Sequence, residues 1–204
     1  MSILIDTDAK IIYEREDGFP EHSVIRTSDG RIYIAHINTS GQLEVRYSDN
    51  GGTSWSLDTT FSPPSGDGDI DMYSFAVSDL DDVFLAYSFE TSADTYTIKV
   101  QKRDHSSETW SEILSETSLF NEAIIKPLIT WNRKAGLNRL HIFLMTKASG
   151  ANPVYIDNKY TDNYGSSWSS GTQHILETSG YRYTMDSIDT DPNTGDIYMI
   201  ARLV

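Results

Sequence analysis

Two stretches of this 204-residue chain are near copies: YSDNGGTSW at Tyr47–Trp55 and YTDNYGSSW at Tyr160–Trp168. A third, RDHSSETW, ends at Trp110 and keeps the hydroxyl–tryptophan end while losing the glycine. The three tryptophans stand 55 and 58 residues apart. A period of that size marks stacked supersecondary units. The repeat limits the fold before any local propensity is weighed.

The flanks repeat as well. SVIRTSDGRIYIAHI (23–37), SFAVSDLDDVFLAYSF (74–89) and SIDTDPNTGDIYMIARL (187–203) each read as strand, Asp-rich turn, alternating strand. PLITWNRKAGLNRLHIFLM (127–145) is a further copy with a longer turn. Another alternating strand precedes each tryptophan turn: QLEVRYS (42–48), YTIKVQKR (96–103) and VYIDNKYT (154–161). A fourth strand follows, in TWSEILSET and SWSSGTQHILET.

Four antiparallel strands recurring at roughly 40–55 residues form the unit of a β-propeller blade. The expectation is therefore an all-β, single-domain propeller over residues 1–204, with about four blades. SETSLFNEAIIK (115–126) is the one stretch read as a short turn of helix. Three units are complete and the fourth stops after its second strand. ILIDTDAKIIYE (3–14) is expected to complete that last blade and close a small ring. The alternative is an arc of a larger ring.

Composition excludes several classes. A net charge of −14 with no Lys/Arg stripe argues against tracking phosphates, so no nucleic-acid partner is expected. The same charge disfavours an anionic membrane surface. Apolar runs such as IFLM (142–145) are too short to span a bilayer, so no membrane insertion is expected. The absence of cysteine rules out disulfides and thiol nucleophiles. The five histidines are scattered without metal-ligand spacing, so no metal centre is expected from them. MSILIDTDAK is not a secretory leader; an extracellular or virion-associated location is favoured, and oligomerisation stays open.

The turns have a physical reading of their own. A hairpin between a blade's third and fourth strands needs a residue tolerant of positive φ, which Gly52 and Gly165 supply. The Asn50 and Asn163 side chains can bond amides of their own turn. The tryptophan covers the turn with its large apolar face. Ser48, Asn50, Gly52, Ser54 and Trp55 resemble the Asp-box (BNR) repeat of the sialidase-like β-propellers, as do Thr161, Asn163, Gly165, Ser167 and Trp168, with Asn where Asp is usual. The middle copy keeps Thr109 and Trp110. The resemblance implies that these turns are peripheral and structural.

It also implies where chemistry would sit: at the opposite ends of the first strands, ringing the propeller axis. There the sequence places Glu21, His22, Asp71, Tyr73, Lys126, Arg182 and Asp186, a mixture suited to bonding sugar hydroxyls. The sialidase Arg-Ile-Pro motif ahead of the first DG hairpin is missing, and Pro20 stands at the nearest position. Neither an arginine triad nor a Tyr/Glu nucleophile pair can be assembled, so no catalytic residue is assigned. Asp189, Asp191 and Asn193 alternate oxygens as an EF-type calcium loop would. Thr194 in place of glycine, and no Glu at loop position twelve, favour an ordinary hairpin turn with no cofactor.

Three functions remain at this level. The first is a non-catalytic propeller binding a glycan or a protein or cell surface, as an adhesin or a phage or viral attachment component does. The second is a diverged glycoside hydrolase, and the third a structural segment of a larger assembly.

Overall fold

The computed structural model describes residues 24–92, 95–119, 127–134, 136–147, 154–171, 174–177 and 183–203. The described residues are all strand, turn and connection, with no helix. Blade 1 is the meander β1 (Val24–Arg26), β2 (Ile32–Ile37), β3 (Leu43–Ser48) and β4 (Ser56–Phe61), paired antiparallel in chain order. Blade 2 repeats this with β5 (Ile70–Val77), β6 (Val83–Ser92), β7 (Thr95–Arg103) and β8 (Trp110–Leu119). In blade 3, β9 (Pro127–Asn132), β10 (Arg139–Lys147) and β11 (Val154–Thr161) are followed by β12 (Ser169–Ser170) and β13 (His174–Glu177), both paired with β11. Blade 4 is described as the hairpin β14 (Tyr183–Thr190) and β15 (Ile197–Leu203).

The first strands β1, β5, β9 and β14 lie beside one another in that order. The strand ladders run within each blade, while packed side chains and scattered hydrogen bonds join one blade to the next. That is the propeller arrangement, and the fold is the one the repeat predicts. The pairing expected for residues 3–14 lies outside the described residues. The helical turn expected at 115–126 is not formed over its first part, because β8 stays paired with β7 as far as Leu119. Thr117 bonds Thr97 hydroxyl to hydroxyl at 2.7 Å across that ladder.

Period-two alternation gives blades 2 and 3 two buried faces, and this is why their middle strands read as nearly continuous apolar runs. Tyr33, Ala35, Leu43 and Val45 of blade 1 pack on Phe75, Val83, Leu85 and Tyr87 of blade 2. The other face of blade 2, with Phe84, Ala86, Ile98 and Val100, packs on Ile129, Trp131, Leu140 and Ile142 of blade 3. Trp131 lies between the rings of Phe84 and Tyr164, at 5.5 and 5.2 Å. Leu128, Phe143 and Ile156 then meet Ile188, Ile197 and Met199 of blade 4. Each fully buried side chain of this size contributes about 1.5–3 kcal/mol, so the interblade layers hold the array together.

Candidate functional site

The meander gives every blade two ends. At one end lie the turns joining first to second and third to fourth strands; at the other lie the mouths of the first strands and the second-to-third connections.

At the turn end, the two intact tryptophan turns are hydrogen-bonded alike. Ser48 Oγ accepts the Gly52 amide at 2.9 Å and donates to Asn50 Oδ1, which also accepts the Ser54 amide at 2.9 Å. Thr161, Gly165, Asn163 and Ser167 repeat each bond, with the amides at 3.0 and 2.9 Å. Gly52 and Gly165 have φ of 91° and 96°, a region that a Cβ disfavours. In the middle turn, Asp104 takes over the acceptor role, receiving the amides of Ser106 and Ser107 at 3.1 and 2.9 Å. Its carboxyl is held low, first by the Ser106 side chain and then by the Ser107 amide. Glu108 adopts the positive φ, 56°, that glycine fills elsewhere.

These turns also bind blade to blade. Ser28 donates its amide and hydroxyl to the two Asp81 oxygens at 2.7 and 2.5 Å. Arg103, only 3 % exposed, pairs with Asp58 at 3.0 Å. Trp110 Nε1 donates to the same carboxylate at 2.6 Å. Lys159 of blade 3 pairs with Glu116 of blade 2. Arg31 spans Asp49 and Glu108 at 2.6 and 2.7 Å, with its guanidinium 4.6 Å from the centre of the Tyr47 ring. The polar groups of this end are engaged in holding the chain.

Of the mouth residues chosen from sequence, Glu21, His22, Lys126 and Arg182 lie outside the described residues. Tyr73 is 2 % exposed and belongs to the core between blades 1 and 2. Its hydroxyl donates to the Ala35 carbonyl at 2.6 Å, and burial pushes its pKa up. Tyr73 is thus held inside the sheet and turned from the axis opening that its sequence position suggested.

Asp71 and Asp186 share a backbone feature. The β5–β6 register steps from Ile70↔Phe89 to Met72↔Ser88, leaving Asp71 as the extra residue of a bulge. The β14–β15 register steps from Met185↔Ala201 to Ser187↔Ile200, leaving Asp186 in the same situation. Both bulges fall in the mouth half of a first strand, in blades 2 and 4. A bulge breaks the ladder, and bulges recur beside active sites; other register steps fall at Asp58, Thr91 and Ile113.

A polar rim near the mouth of blade 1 was not singled out from the sequence. Asn38 Nδ2 donates to Glu44 Oε1 at 3.1 Å and to Gln42 Oε1 at 3.2 Å. Arg46 pairs with Glu44 at 3.0 Å, and His36 Nε2 lies 3.5 Å from it. Asn38 first, then Arg46 and His36, hold the Glu44 carboxyl below its ordinary range. The signal was present in HINTSGQLEVR, where polar residues alternate with Ile37, Leu43 and Val45. Arg26, by contrast, lies at the turn end of β1, with Nη2 3.3 Å from where a Cβ on Gly30 would sit.

The loop Asp189–Asp196 forms a closed hairpin turn. Asp191 Oδ1 accepts the Asn193 and Thr194 amides at 2.7 and 3.2 Å, and the Asp191 amide reaches the Asp196 carbonyl at 2.9 Å. Among the described residues, no group of three or more His, Asp or Glu side chains is placed to hold a metal ion.

No family model matches the sequence, and no curated protein matches it. Among solved structures, the chain is similar to the GH93 α-L-arabinofuranosidase of Fusarium graminearum in complex with arabinobiose, with a TM-score of 0.56 and 13 % identity. The match covers 81 % of this chain and 51 % of that one. That arabinofuranosidase in complex with an iminosugar inhibitor gives a TM-score of 0.57 at 13 % identity, over 86 % of this chain and 53 % of that one. A protein of unknown function from Dyadobacter fermentans gives 0.50 at 12 %, over 86 % and 56 %. The arabinofuranosidase is a β-propeller glycosidase, and the likeness identifies the fold of this chain as a β-propeller. The chain spans just over half the length of these structures.

Proposed function

We propose that this chain is a non-catalytic, sialidase-like propeller that binds a glycan at the mouths of its first strands, serving as an attachment component outside the cell or on a virion. The observation that carries the reading is the pair of bulged aspartates, Asp71 and Asp186, on the first strands of two blades. Bulges cost ladder hydrogen bonds, and two of them in the mouth halves of first strands favour a role for these positions. A carboxylate accepts hydrogen bonds from paired sugar hydroxyls, and the polar rim around Glu44 offers further donors and acceptors nearby. The resemblance of the two tryptophan turns to Asp-boxes, and the arabinobiose complex of the arabinofuranosidase, support a sugar ligand. Arg26 lies at the turn end, which agrees with the missing arginine motif in favouring binding over sialidase chemistry.

A glycan array with the intact chain tests this. Binding to at least one glycan class is expected, weakened tenfold or more by Asp71→Asn or Asp186→Asn with unchanged thermal unfolding. An array without a hit, on a folded protein, would refute it.

The second reading is a diverged glycoside hydrolase, favoured by the glycosidase neighbours. Hydrolysis needs two carboxyl groups at defined separation across the scissile bond, and Asp71 with Asp186 are the candidates. Turnover of a fluorogenic glycoside panel that disappears in either variant would establish this reading over the first.

A further inference from the structure

The two intact tryptophan turns hold an asparagine side chain with matching groups. Asn50 Oδ1 accepts the Ser48 hydroxyl and the Ser54 amide, both at 2.9 Å, while Nδ2 donates to Ser54 Oγ at 2.8 Å. Asn163 Oδ1 accepts the Thr161 hydroxyl at 2.8 Å and the Ser167 amide at 2.9 Å, and its Nδ2 donates to Ser167 Oγ at 2.9 Å. Two donors therefore polarise each side-chain carbonyl, and donors on a carbonyl oxygen favour nucleophilic attack at its carbon. Both asparagines are exposed, so water reaches them.

The turns differ in the residue that follows. Gly51 is exposed at φ 70°, and nothing lies within 4 Å of where a Cβ would sit. Tyr164 takes the same place at φ 55°. Its ring stacks on Trp131 at 5.2 Å, the Lys102 ammonium lies 5.3 Å from the ring centre, and its hydroxyl donates to Asp79 at 3.4 Å. The backbone nitrogen of this residue is joined through the chain to the asparagine Cγ, which gives it the advantage of an intramolecular nucleophile. Its attack closes a five-membered ring and needs the peptide between the two residues to turn. Gly51, without a side chain and with open space around it, permits that movement. The anchored ring of Tyr164 opposes it.

We propose that Asn50 is a self-modification site, converted to aspartate through a cyclic imide with Gly51, and that Tyr164 keeps Asn163 an amide. The Gly51 nitrogen bonds to Asn50 Cγ and gives up its proton through solvent. The Cγ–Nδ2 bond breaks, and Nδ2 leaves with that proton as ammonia. Water then opens the ring. Opening at Cγ yields aspartate in an ordinary backbone, and opening at the Asn50 carbonyl carbon yields an isoaspartyl linkage. One water is consumed, one ammonia is released, and nothing is oxidised or reduced. The aspartate suits its surroundings. Its oxygens accept from the Ser48 hydroxyl and the Ser54 amide as before, and the Ser54 hydroxyl changes from acceptor to donor. The middle turn already works in this way, with Asp104 accepting the amides and hydroxyls of Ser106 and Ser107.

Incubation of the intact folded chain at mildly alkaline pH, followed by peptide mass spectrometry, reads the amide-to-acid change at each asparagine. Asn50 is expected to convert at least tenfold faster than Asn163. Exchanging the following residues should exchange the behaviour: Gly51→Tyr slows Asn50 at least tenfold, and Tyr164→Gly brings Asn163 to within about threefold of Asn50. Urea unfolding confirms that each variant is folded, and the Gly51→Tyr arm decides alone if loss of the Tyr164 ring unfolds blade 3. Asn50→Asp, which is the product, should keep the urea midpoint of the unmodified chain. An Asn50 that stays an amide overturns the proposal, as do equal rates at the two sites or rates that ignore the exchange. A lowered midpoint for Asn50→Asp overturns the fit of the product.

Discussion

The two ends of the blades use similar residues to opposite effect. At the turn end, Asp, Ser, Thr and Asn side chains are committed to backbone amides within a few residues of their own position, and to groups of neighbouring blades. At the mouth end, two first strands give up ladder regularity at an aspartate, and the rim network round Glu44 is partly open to solvent. Polar residues at one end hold the array; the other end is where the proposed glycan site lies. The difference warns against reading function from motif density, since the most recognisable motif in the chain is its fastening.

The largest effect that would sharpen this contrast is at Asp58. Asp58→Ala leaves Arg103 buried without its 3.0 Å partner and removes the acceptor of Trp110 Nε1. Breaking one half of a buried pair costs about 3–5 kcal/mol. The rim counterpart, Arg46→Ala, removes a partly exposed pair with Glu44 and should cost under about 1 kcal/mol. Urea unfolding of both variants measures the difference. Equal costs would mean that the rim fastens the blades as the turns do, and the contrast would fail.

An intermediate effect is expected inside the tryptophan turns. Asn50→Ala and Asn163→Ala each remove the acceptor of a turn amide and a bond to a serine hydroxyl. At about 0.5–1.5 kcal/mol per bond, the two bonds lost in each should cost about 1–3 kcal/mol in urea unfolding. Any glycan binding should remain unchanged. A turn variant that unfolds normally yet loses binding would move the site to the turn end.

The turns were legible in the sequence because their bonds are local. Each bond among Ser48, Asn50, Gly52 and Ser54 spans at most four residues, so spacing alone encodes the geometry. The middle turn was half legible: Thr109 and Trp110 kept their places, but the acceptor moved to Asp104 and the positive φ to Glu108. The mouth was least legible. Whether an aspartate lies in regular ladder or in a bulge depends on the partner strand, and nothing near Asp71 or Asp186 announces the step. Tyr73 misled for the same reason, because its burial depends on the Ala35 carbonyl of another blade.

The smallest effect is a dependence on acidity in two windows. His141 is buried between Phe143 and Tyr160, with Nδ1 3.3 Å from Asn158 Oδ1, and burial holds its pKa below the ordinary value. The unfolded chain then binds this proton more readily than the folded one. Its stability contribution is complete above the unfolded value of about 6.5 and is lost as pH falls through the lower folded value. The turn carboxylates have the same sign in a lower window. Asp29 is lowered chiefly by the Thr27 hydroxyl, Asp162 by Arg139, and Asp191 by the Asn193 amide. Their contribution is complete above about 3.9 and is lost as pH falls through their depressed values. Thermal unfolding from pH 8 to pH 3, in 0.15 M salt to screen the net charge of −14, should therefore show a shallow decline and then a steeper one. His141→Gln should remove the first and leave the second. If the steeper acid decline vanished instead, the turns would not be the acid-sensitive fastening that their hydrogen bonds describe.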